Sequence, residues 1–233
     1  MKKSVERLRA NPARRVVAAL VMSHAASVLL LAARTAEAGT PRYHFLLWNM
    51  FLAIVPLVFS LWLRSRLKHG SWLAWKNLAI TGLWLMFLPN SFYLVTDLIH
   101  LHQTYEVNIY YDIVLFTGFI VNGLFTGFMS LYLVHVELAK RVRRWDAHMV
   151  MAGVLLLASF AIFLGRFLRW NSWDLFLHPA GVLFDVSNQF IDPASPSALV
   201  TTGSFFVMLT TSYAVVWTLA SYARAQHAQR DAS

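Results

Sequence analysis

Two pairs of aspartate and histidine could bind a metal ion. Asp97 and His100 are three residues apart, and Asp174 and His178 are four apart, so each pair shares a helical face. Two such pairs from two loops could form an Asp/His site for Zn²⁺, with one coordination position open for a water molecule that the metal would activate. The competing interpretation pairs Asp97 with an arginine and leaves His100 at the wet interface. That interpretation is favoured because no tight metal-binding motif is present, and the sequence identifies no cofactor.

Two arginines beside tryptophans could bind an anion. Arg166 and Arg169 share a helical face, and Trp170 and Trp173 follow them. Guanidinium groups bind phosphate or carboxylate through two hydrogen bonds, and indole rings favour the membrane interface. This pattern predicts a site for an anionic lipid headgroup or another envelope ligand. In the alternative, nearby aspartates neutralise both arginines, and the ion pairs only hold the loops in place.

The full candidate site requires two polar outer loops to meet. Asp97 and His100 would orient or polarise the ligand, while Asp112 and Asp174 would position the arginines. The members of this ligand site or ion network are Asn90, Tyr93, Asp97, His100, Asp112, Arg166, Arg169, Trp170, Asn171, Trp173 and Asp174.

Three classes of function are compatible with these residues. The leading one is a ligand-binding or lipid-handling site, which as an enzyme would perform hydrolytic or transfer chemistry on an outer-leaflet lipid or envelope glycan, although no Gly-x-Ser-x-Gly motif is present. The alternative is a non-enzymatic structural or partner-binding membrane subunit, whose protein partner the sequence does not identify. A transporter is less favoured because no acidic residue lies at mid-membrane.

The elements that position these residues are membrane helices. Hydrophobic residues make up 58% of the 233 and charged residues only 13%, against about 25% in a typical soluble domain. A chain of this composition cannot cover a water-exposed surface, which excludes a disordered protein and a soluble enzyme. The chain has no cysteine, which excludes disulfides and thiol catalysis.

Six apolar segments are long enough, or nearly so, to cross a lipid bilayer, which takes about 20 residues. They are 16–33, 43–63, 72–88, 113–135, 148–167 and 199–222. None shows the alternation of a membrane barrel strand. The predicted fold is all-α: a polytopic membrane helix bundle with six transmembrane helices and short interfacial helices on the outer face.

The basic residues predict the orientation. With the N-terminus inside, groups of six, four, four and two basic residues, sixteen of the 20, fall on the cytoplasmic side. Residues 1–15 then form a basic cytoplasmic arm, 16–222 the membrane domain and 223–233 a cytoplasmic tail. Because the basic residues occur in short runs between apolar segments, the net charge of +9 does not indicate nucleic-acid binding.

The first 38 residues also carry the pattern of a cleaved signal peptide. A basic start and an apolar run precede Ala36-Glu37-Ala38 and Gly39. The apolar run is longer than the usual signal core, so a retained first span is favoured. Cleavage would leave five spans in the same orientation.

Local signals predict the geometry near the site. Pro89-Asn90 is expected to end the third helix, and an amphipathic helix over 91–104 should follow, with Asp97 on its narrow polar stripe. The Gly123-x-x-x-Gly127 pattern should allow close helix packing. Three asparagines within spans are expected to form hydrogen bonds between helices: Asn49, Asn77 and Asn122.

The longest polar motifs resemble a known family. They are LPNSFYLVTDLIH at 88–100, Tyr111-Asp112, and GRFLRWNSWD at 165–174. These motifs are similar to a bacterial membrane protein family called domain of unknown function 1361, over roughly residues 44–220, and such polar runs are specific in apolar helices. The resemblance implies a bacterial multi-pass membrane protein, which we expect in the inner membrane, and carries no activity with it.

Overall fold

The computed structural model describes residues 12–102, 106–170, 174–191 and 197–231. These ranges contain eight α-helices, with a 3₁₀ helix at Leu94–His100 between the third and the fourth. The α-helices are α1 Pro12–Ala38, α2 Phe45–Arg66, α3 Trp75–Tyr93, α4 Ile109–Ala139, α5 Arg144–Phe167, α6 Asp174–Leu177, α7 Pro179–Ile191 and α8 Ser197–Asp231. No strand occurs in the described ranges, which confirms the all-α prediction.

Six helical segments of the described chain are long and apolar enough to cross a membrane. They are Arg15–Ala38, Phe45–Arg66, Trp75–His100, Ile109–Ala139, Arg144–Phe167 and Ala198–Gln226. This confirms the prediction of a polytopic bundle with six membrane helices. The predicted arm at 1–15 lies almost wholly outside the described residues, whereas α8 continues through most of the predicted tail.

The chain divides into two compact units. Unit 1 comprises Met1–Ile54 and Asn90–Gly127, and unit 2 comprises Val55–Pro89 and Phe128–Ser233. Helices α2, α3 and α4 each contribute a segment to both units.

Unit 1 is built on an apolar core shared by α1, α2, the 3₁₀ helix and α4. Its buried members are Leu31, Tyr43, Leu46, Ala53, Leu94, Leu115, Phe116 and Phe119. Within a membrane such packing gains van der Waals contact, and polar groups must find partners inside the protein.

Glycines on α4 let the end of α3 approach closely within unit 1. A Cβ atom on Gly123 would lie 2.5 Å from the carbonyl oxygen of Ser91, and one on Gly127 would lie 2.6 Å from the Phe92 ring. Any side chain at either position would therefore push the two segments apart. The predicted close packing at this pattern is confirmed.

The asparagines within the spans bond to neighbouring elements. In unit 1, Asn122 of α4 donates to Ser23 and Ser27 of α1. In unit 2, Arg66 of α2 donates to Asn77 of α3 over 2.8 Å. Together with the bond from Asn49 described below, these contacts confirm the prediction for all three asparagines.

The prediction that the third helix ends at Pro89-Asn90 is wrong. Helix α3 passes through Pro89 and ends at Tyr93, and the chain then tightens into the 3₁₀ helix. A proline removes one backbone donor, and the buried side chains that follow hold the turn in place. Among them, the Ser91 hydroxyl donates to the carbonyl of Ala53 over 2.7 Å.

Unit 2 contains a long contact between α5 and α8. Polar side chains connect its other helices. The Trp84 indole of α3 donates to the Ser130 hydroxyl of α4 over 2.8 Å, and both residues are buried. Arg141, beyond the end of α4, donates to the carbonyl of Leu67 in the turn after α2.

Candidate functional site

A fully buried arginine lies at the centre of the polar residues of unit 1. Arg34, near the end of α1, has no exposed surface. Its Nε donates to Oδ1 of Asp112 over 3.2 Å, its Nη2 to Oε2 of Glu106 over 2.8 Å, and its Nη1 to the Thr40 hydroxyl over 3.1 Å. The guanidinium therefore connects the end of α1, the loop before α4 and the first turn of α4.

A second arginine completes what we call the Arg34 cluster: Arg34, Thr40, Arg42, Glu106 and Asp112. Arg42 donates to Oε1 of Glu106 over 2.9 Å, and the Thr40 hydroxyl donates to Oε2 of the same carboxylate. Burial would raise the pKa of Glu106, but the hydrogen bonds from Arg34, Arg42 and Thr40 outweigh it and hold that pKa below its ordinary value. Glu106 is therefore a fixed anion at neutral pH.

A buried tyrosine lies against the Arg34 cluster. The guanidinium carbon of Arg34 lies 4.4 Å from the centre of the Tyr43 ring, within the range of a cation–π contact. Burial and the nearby charge of Asp112 raise the pKa of Tyr43, so it stays a neutral phenol. Within the described ranges, neither the Tyr43 hydroxyl nor Oδ2 of Asp112 has a hydrogen-bond partner.

Asp97 has a different environment in the same unit. It is 1% exposed, and its Oδ2 accepts a 2.8 Å hydrogen bond from Nδ2 of Asn49 on α2. His100 is exposed at the end of the 3₁₀ helix, where its ring meets the Phe45 ring edge-on at 5.0 Å. A buried carboxylate requires donors, and the amide of Asn49 supplies one from a neighbouring helix.

The second polar motif lies in unit 2 at the end of α5. Arg169 is exposed and has a φ of 58°, a left-handed conformation that is uncommon outside glycine. The chain turns away here, and the Trp170 N–H donates to the carbonyl of Leu164. The Trp170 indole donates to Asp185 of α7 over 3.0 Å, which attaches the turn to that helix.

The predicted site residues are divided between the two units. Unit 1 holds Asn90, Tyr93, Asp97, His100 and Asp112, and unit 2 holds Arg166, Arg169, Trp170 and Asp174. Asn171 and Trp173 lie outside the described residues. The meeting of the two motifs stays a prediction.

Several of these residues already have partners. Asn90, Tyr93, Arg166 and Asp174 each make a polar, ionic or ring contact. For Asp112 the arginine partner is Arg34, which lies outside the predicted set.

The described residues contain no group of three or more metal-ligand side chains close enough to hold an ion. The four residues weighed as zinc ligands differ in exposure. Asp97 is buried beside Asn49, while His100 and His178 are exposed.

Four residues of the Arg34 cluster are absent from the predicted site: Arg34, Thr40, Arg42 and Glu106. In the predicted orientation, Arg34 and Arg42 belong to the four basic residues that remain on the outer side, with Arg166 and Arg169. A signal was present, because an arginine at the end of a membrane helix requires a partner and four acids follow before residue 113.

The chain was compared with known proteins. No curated protein and no solved structure matches it. A family profile matches residues 48–215, which is more than half of the chain and includes all three polar motifs. The chain therefore belongs to the family described as protein of unknown function (DUF1361).

Proposed function

We propose that the protein is a non-enzymatic multi-pass membrane subunit whose outer polar residues fix its loops for binding to a partner. The observation that carries this proposal is Arg34, which is fully buried and donates hydrogen bonds from its three guanidinium nitrogens to three side chains of its own chain. A guanidinium used in this way is an internal connection and has no free edge for a ligand.

The ionisation of the acids supports the same role. Glu106 is a fixed anion, which suits an ion pair and does not suit a general acid. Asp112 accepts from Arg34, and Asp97 accepts from Asn49. Burying such groups costs free energy, but the pairs hold the connected segments in one arrangement.

The proposed orientation places both termini in the cytoplasm of a bacterial cell, with the protein in the inner membrane. Sixteen basic residues on one side support this orientation by the positive-inside rule. The Arg34 cluster then lies near the outer surface. The bacterial origin rests on the resemblance of the polar motifs to a bacterial family.

A double-mutant cycle tests the structural role. We expect Arg34→Met to lower the stability of the folded protein by about 3–5 kcal/mol, because Asp112 stays buried without its cation. Asp112→Leu should also destabilise, and the double variant should be more stable than Arg34→Met alone, since both charges are gone. Thermal unfolding in mild detergent measures all four proteins. A single Arg34→Met variant as stable as the wild type would refute the proposal.

The second candidate is an outer site for an anionic or lipid ligand, with hydrolytic or transfer chemistry as its enzyme class. The observation in its favour is Arg169, which is exposed in a left-handed turn and forms no ion pair within the described ranges. Against it, the side proposed as outer carries seven acids and only four Lys or Arg residues, which disfavours anions.

Native mass spectrometry from gentle detergent separates the two candidates. Under the second candidate, Arg169→Ala should remove a bound anionic ligand while leaving the melting temperature unchanged, because the side chain is exposed. Under the leading proposal, Arg169→Ala should change neither bound mass nor stability. An additional protein mass on the wild-type chain would identify the partner.

A further inference from the structure

A cavity of about 540 Å³ lies in unit 2, among residues from the ends of α4 and α5 and the later turns of α8. Its volume is in the range of small-molecule sites, about 300–1,000 Å³. The residues that line it combine three cations with one hydroxyl and apolar surface: Val136, Ala139, Lys140, Arg144, Trp217, Ser221, Arg224 and Ala225.

Two of the three cations of this cavity are not paired with an acid among the described residues. Lys140 is the exception, because Glu137 pairs with it at 2.7 Å. The same carboxylate also pairs with Arg141 and Arg64. Within the described part of the chain, neither Arg144 nor Arg224 forms an ion pair, so the cavity keeps an excess of positive charge.

Arg224 is held in place by aromatic rings. Its guanidinium carbon lies 5.3 Å from the Tyr132 ring centre and 5.5 Å from that of Trp217, and its Nη2 donates to the Ser221 hydroxyl over 3.2 Å. Stacking of this kind orients a guanidinium without using up its charge, which leaves it able to bind an oxyanion.

Trp217 forms one wall of the cavity, and its ring packs against histidines of neighbouring helices. The His135 ring stacks on the Trp217 ring at 3.9 Å, and its Nδ1 lies 2.9 Å from the Tyr213 hydroxyl. The His148 ring meets the Trp217 ring edge-on at 5.2 Å. Two helices therefore fix the position of one wall, which is expected of a preformed site.

The surroundings indicate where an anionic ligand would come from. The same part of α8 exposes large apolar side chains, since Val215 is 59% and Leu219 63% exposed. A phospholipid could place its acyl chains on such a surface and its phosphate among the cations. Basic pockets between membrane helices bind anionic lipid headgroups in this way.

We propose that the cavity lined by Lys140, Arg144 and Arg224 binds a phosphate group, supplied in the membrane by an anionic phospholipid. The ammonium group is a compact point charge, while the two guanidinium groups can each give two hydrogen bonds to phosphate oxygens. The Ser221 hydroxyl adds a neutral donor at the same level. This inference does not depend on the structural role proposed for the Arg34 cluster.

Lipid titration of the purified full chain tests the site. Native mass spectrometry would follow the binding of phosphatidylglycerol and, separately, of zwitterionic phosphatidylcholine. We expect phosphatidylglycerol to bind about tenfold more tightly, and the Arg144→Gln, Arg224→Gln double variant to lose about that factor, because charge-assisted hydrogen bonds are lost. The matched control is Arg143→Gln, since that arginine is outside the cavity and pairs with Asp146.

The lipid titration can overturn the proposal in the following ways. Phosphatidylglycerol binding to the double variant as tight as to the wild type, or equal binding of the two lipids, would overturn the proposal. Arg144→Gln alone gives a second test if the double variant does not fold, because Arg144 is exposed and loses no partner there. The proposal would also be overturned if Arg144→Gln lost no more lipid affinity than the control Arg143→Gln.

A competition with inorganic phosphate identifies the source of the ligand. If millimolar phosphate displaces phosphatidylglycerol from the wild type, the cavity recognises the phosphate group itself, and a free phosphate is a sufficient ligand. If phosphate does not compete while the double variant still loses lipid affinity, the phospholipid as a whole is the ligand. Either result supports the binding of an anionic ligand by these residues, and only the first assigns recognition to the phosphate group alone.

Discussion

Arg34 shows how much one residue can determine in a membrane protein. Its three nitrogens have three different partners, and its carbon lies over an aromatic ring. A lysine keeps the charge but concentrates it at one point, so it cannot reach Asp112, Glu106 and Thr40 at once. The shape of the guanidinium, as well as its charge, therefore matters at this position.

The substitution Arg34→Lys should lower the free energy of unfolding by about 1–3 kcal/mol, because at least one buried acceptor loses its donor. Arg42→Lys is the matched control. The Arg42 side chain is 43% exposed, so its exchange should cost less than about 1 kcal/mol. Thermal unfolding followed by tryptophan fluorescence compares the two, and equal losses would contradict the importance of guanidinium shape.

The ionisation of Glu106 should make the stability of the folded protein depend on pH. Its folded-state pKa lies below the ordinary value, so its stabilisation is fully present above the ordinary carboxyl range and is lost as pH falls through the folded-state pKa. The wild type should therefore lose more stability than Glu106→Gln between pH 7 and pH 3. Melting temperatures at several pH values measure this difference. Parallel curves for the two proteins would show that Glu106 contributes nothing.

At the scale of elements, the segment after Pro89 shows what periodicity can and cannot predict. The sequence predicts an α-helical wheel with Asp97 on a polar stripe and Leu94 on the apolar side. A 3₁₀ helix has three residues per turn, so Leu94 and Asp97 share one face, and both are buried. Leu98 and Ile99 are exposed on the other side. The tighter helix depends on contacts with Ala53 and the glycines of α4, which no local pattern contains.

The glycines of α4 provide a test at the same scale. Gly127→Ala should destabilise the protein by about 1–3 kcal/mol, because the new methyl group would overlap the Phe92 ring and Ser91. Gly153→Ala on α5 is the control, since its Cβ would meet nothing within 4 Å. The control should be as stable as the wild type or slightly more so. Thermal unfolding compares the stability of the two variants, and equal stability would contradict the close packing.

For the whole molecule, the fold class follows from composition and the lengths of apolar segments, and both can be read from the sequence. The connection between Arg34 and Asp112 cannot, because the two residues are 78 positions apart and belong to helices whose adjacency is a tertiary property. The same holds for the basic cavity, whose cations come from the end of α4, the start of α5 and the later turns of α8. Local spacing detected the motifs around Asp97 and Arg169 and missed these long-range pairs.

The orientation can be tested with single cysteines, because the natural chain has none. Glu37→Cys at the end of α1 and Ser71→Cys in the turn before α3 both replace exposed residues. In intact cells, a membrane-impermeant maleimide should label only Glu37→Cys. Ser71→Cys should react only after lysis. The reverse pattern would invert the proposed topology.

The distance in sequence between Arg34 and Asp112 also determines how long after the synthesis of Arg34 the ion pair can form. Ribosomes add about 5–20 residues per second, so the 78 positions between these residues correspond to about 4–16 s. During that interval the first helix carries an arginine whose buried partner has not yet been made. We expect the nascent chain to keep Arg34 at the water interface until α4 has been synthesised. Only then can α1 take its final position. Chains that stop before residue 106 lack both acidic partners of Arg34 and should therefore present an unpaired cation to membrane quality control.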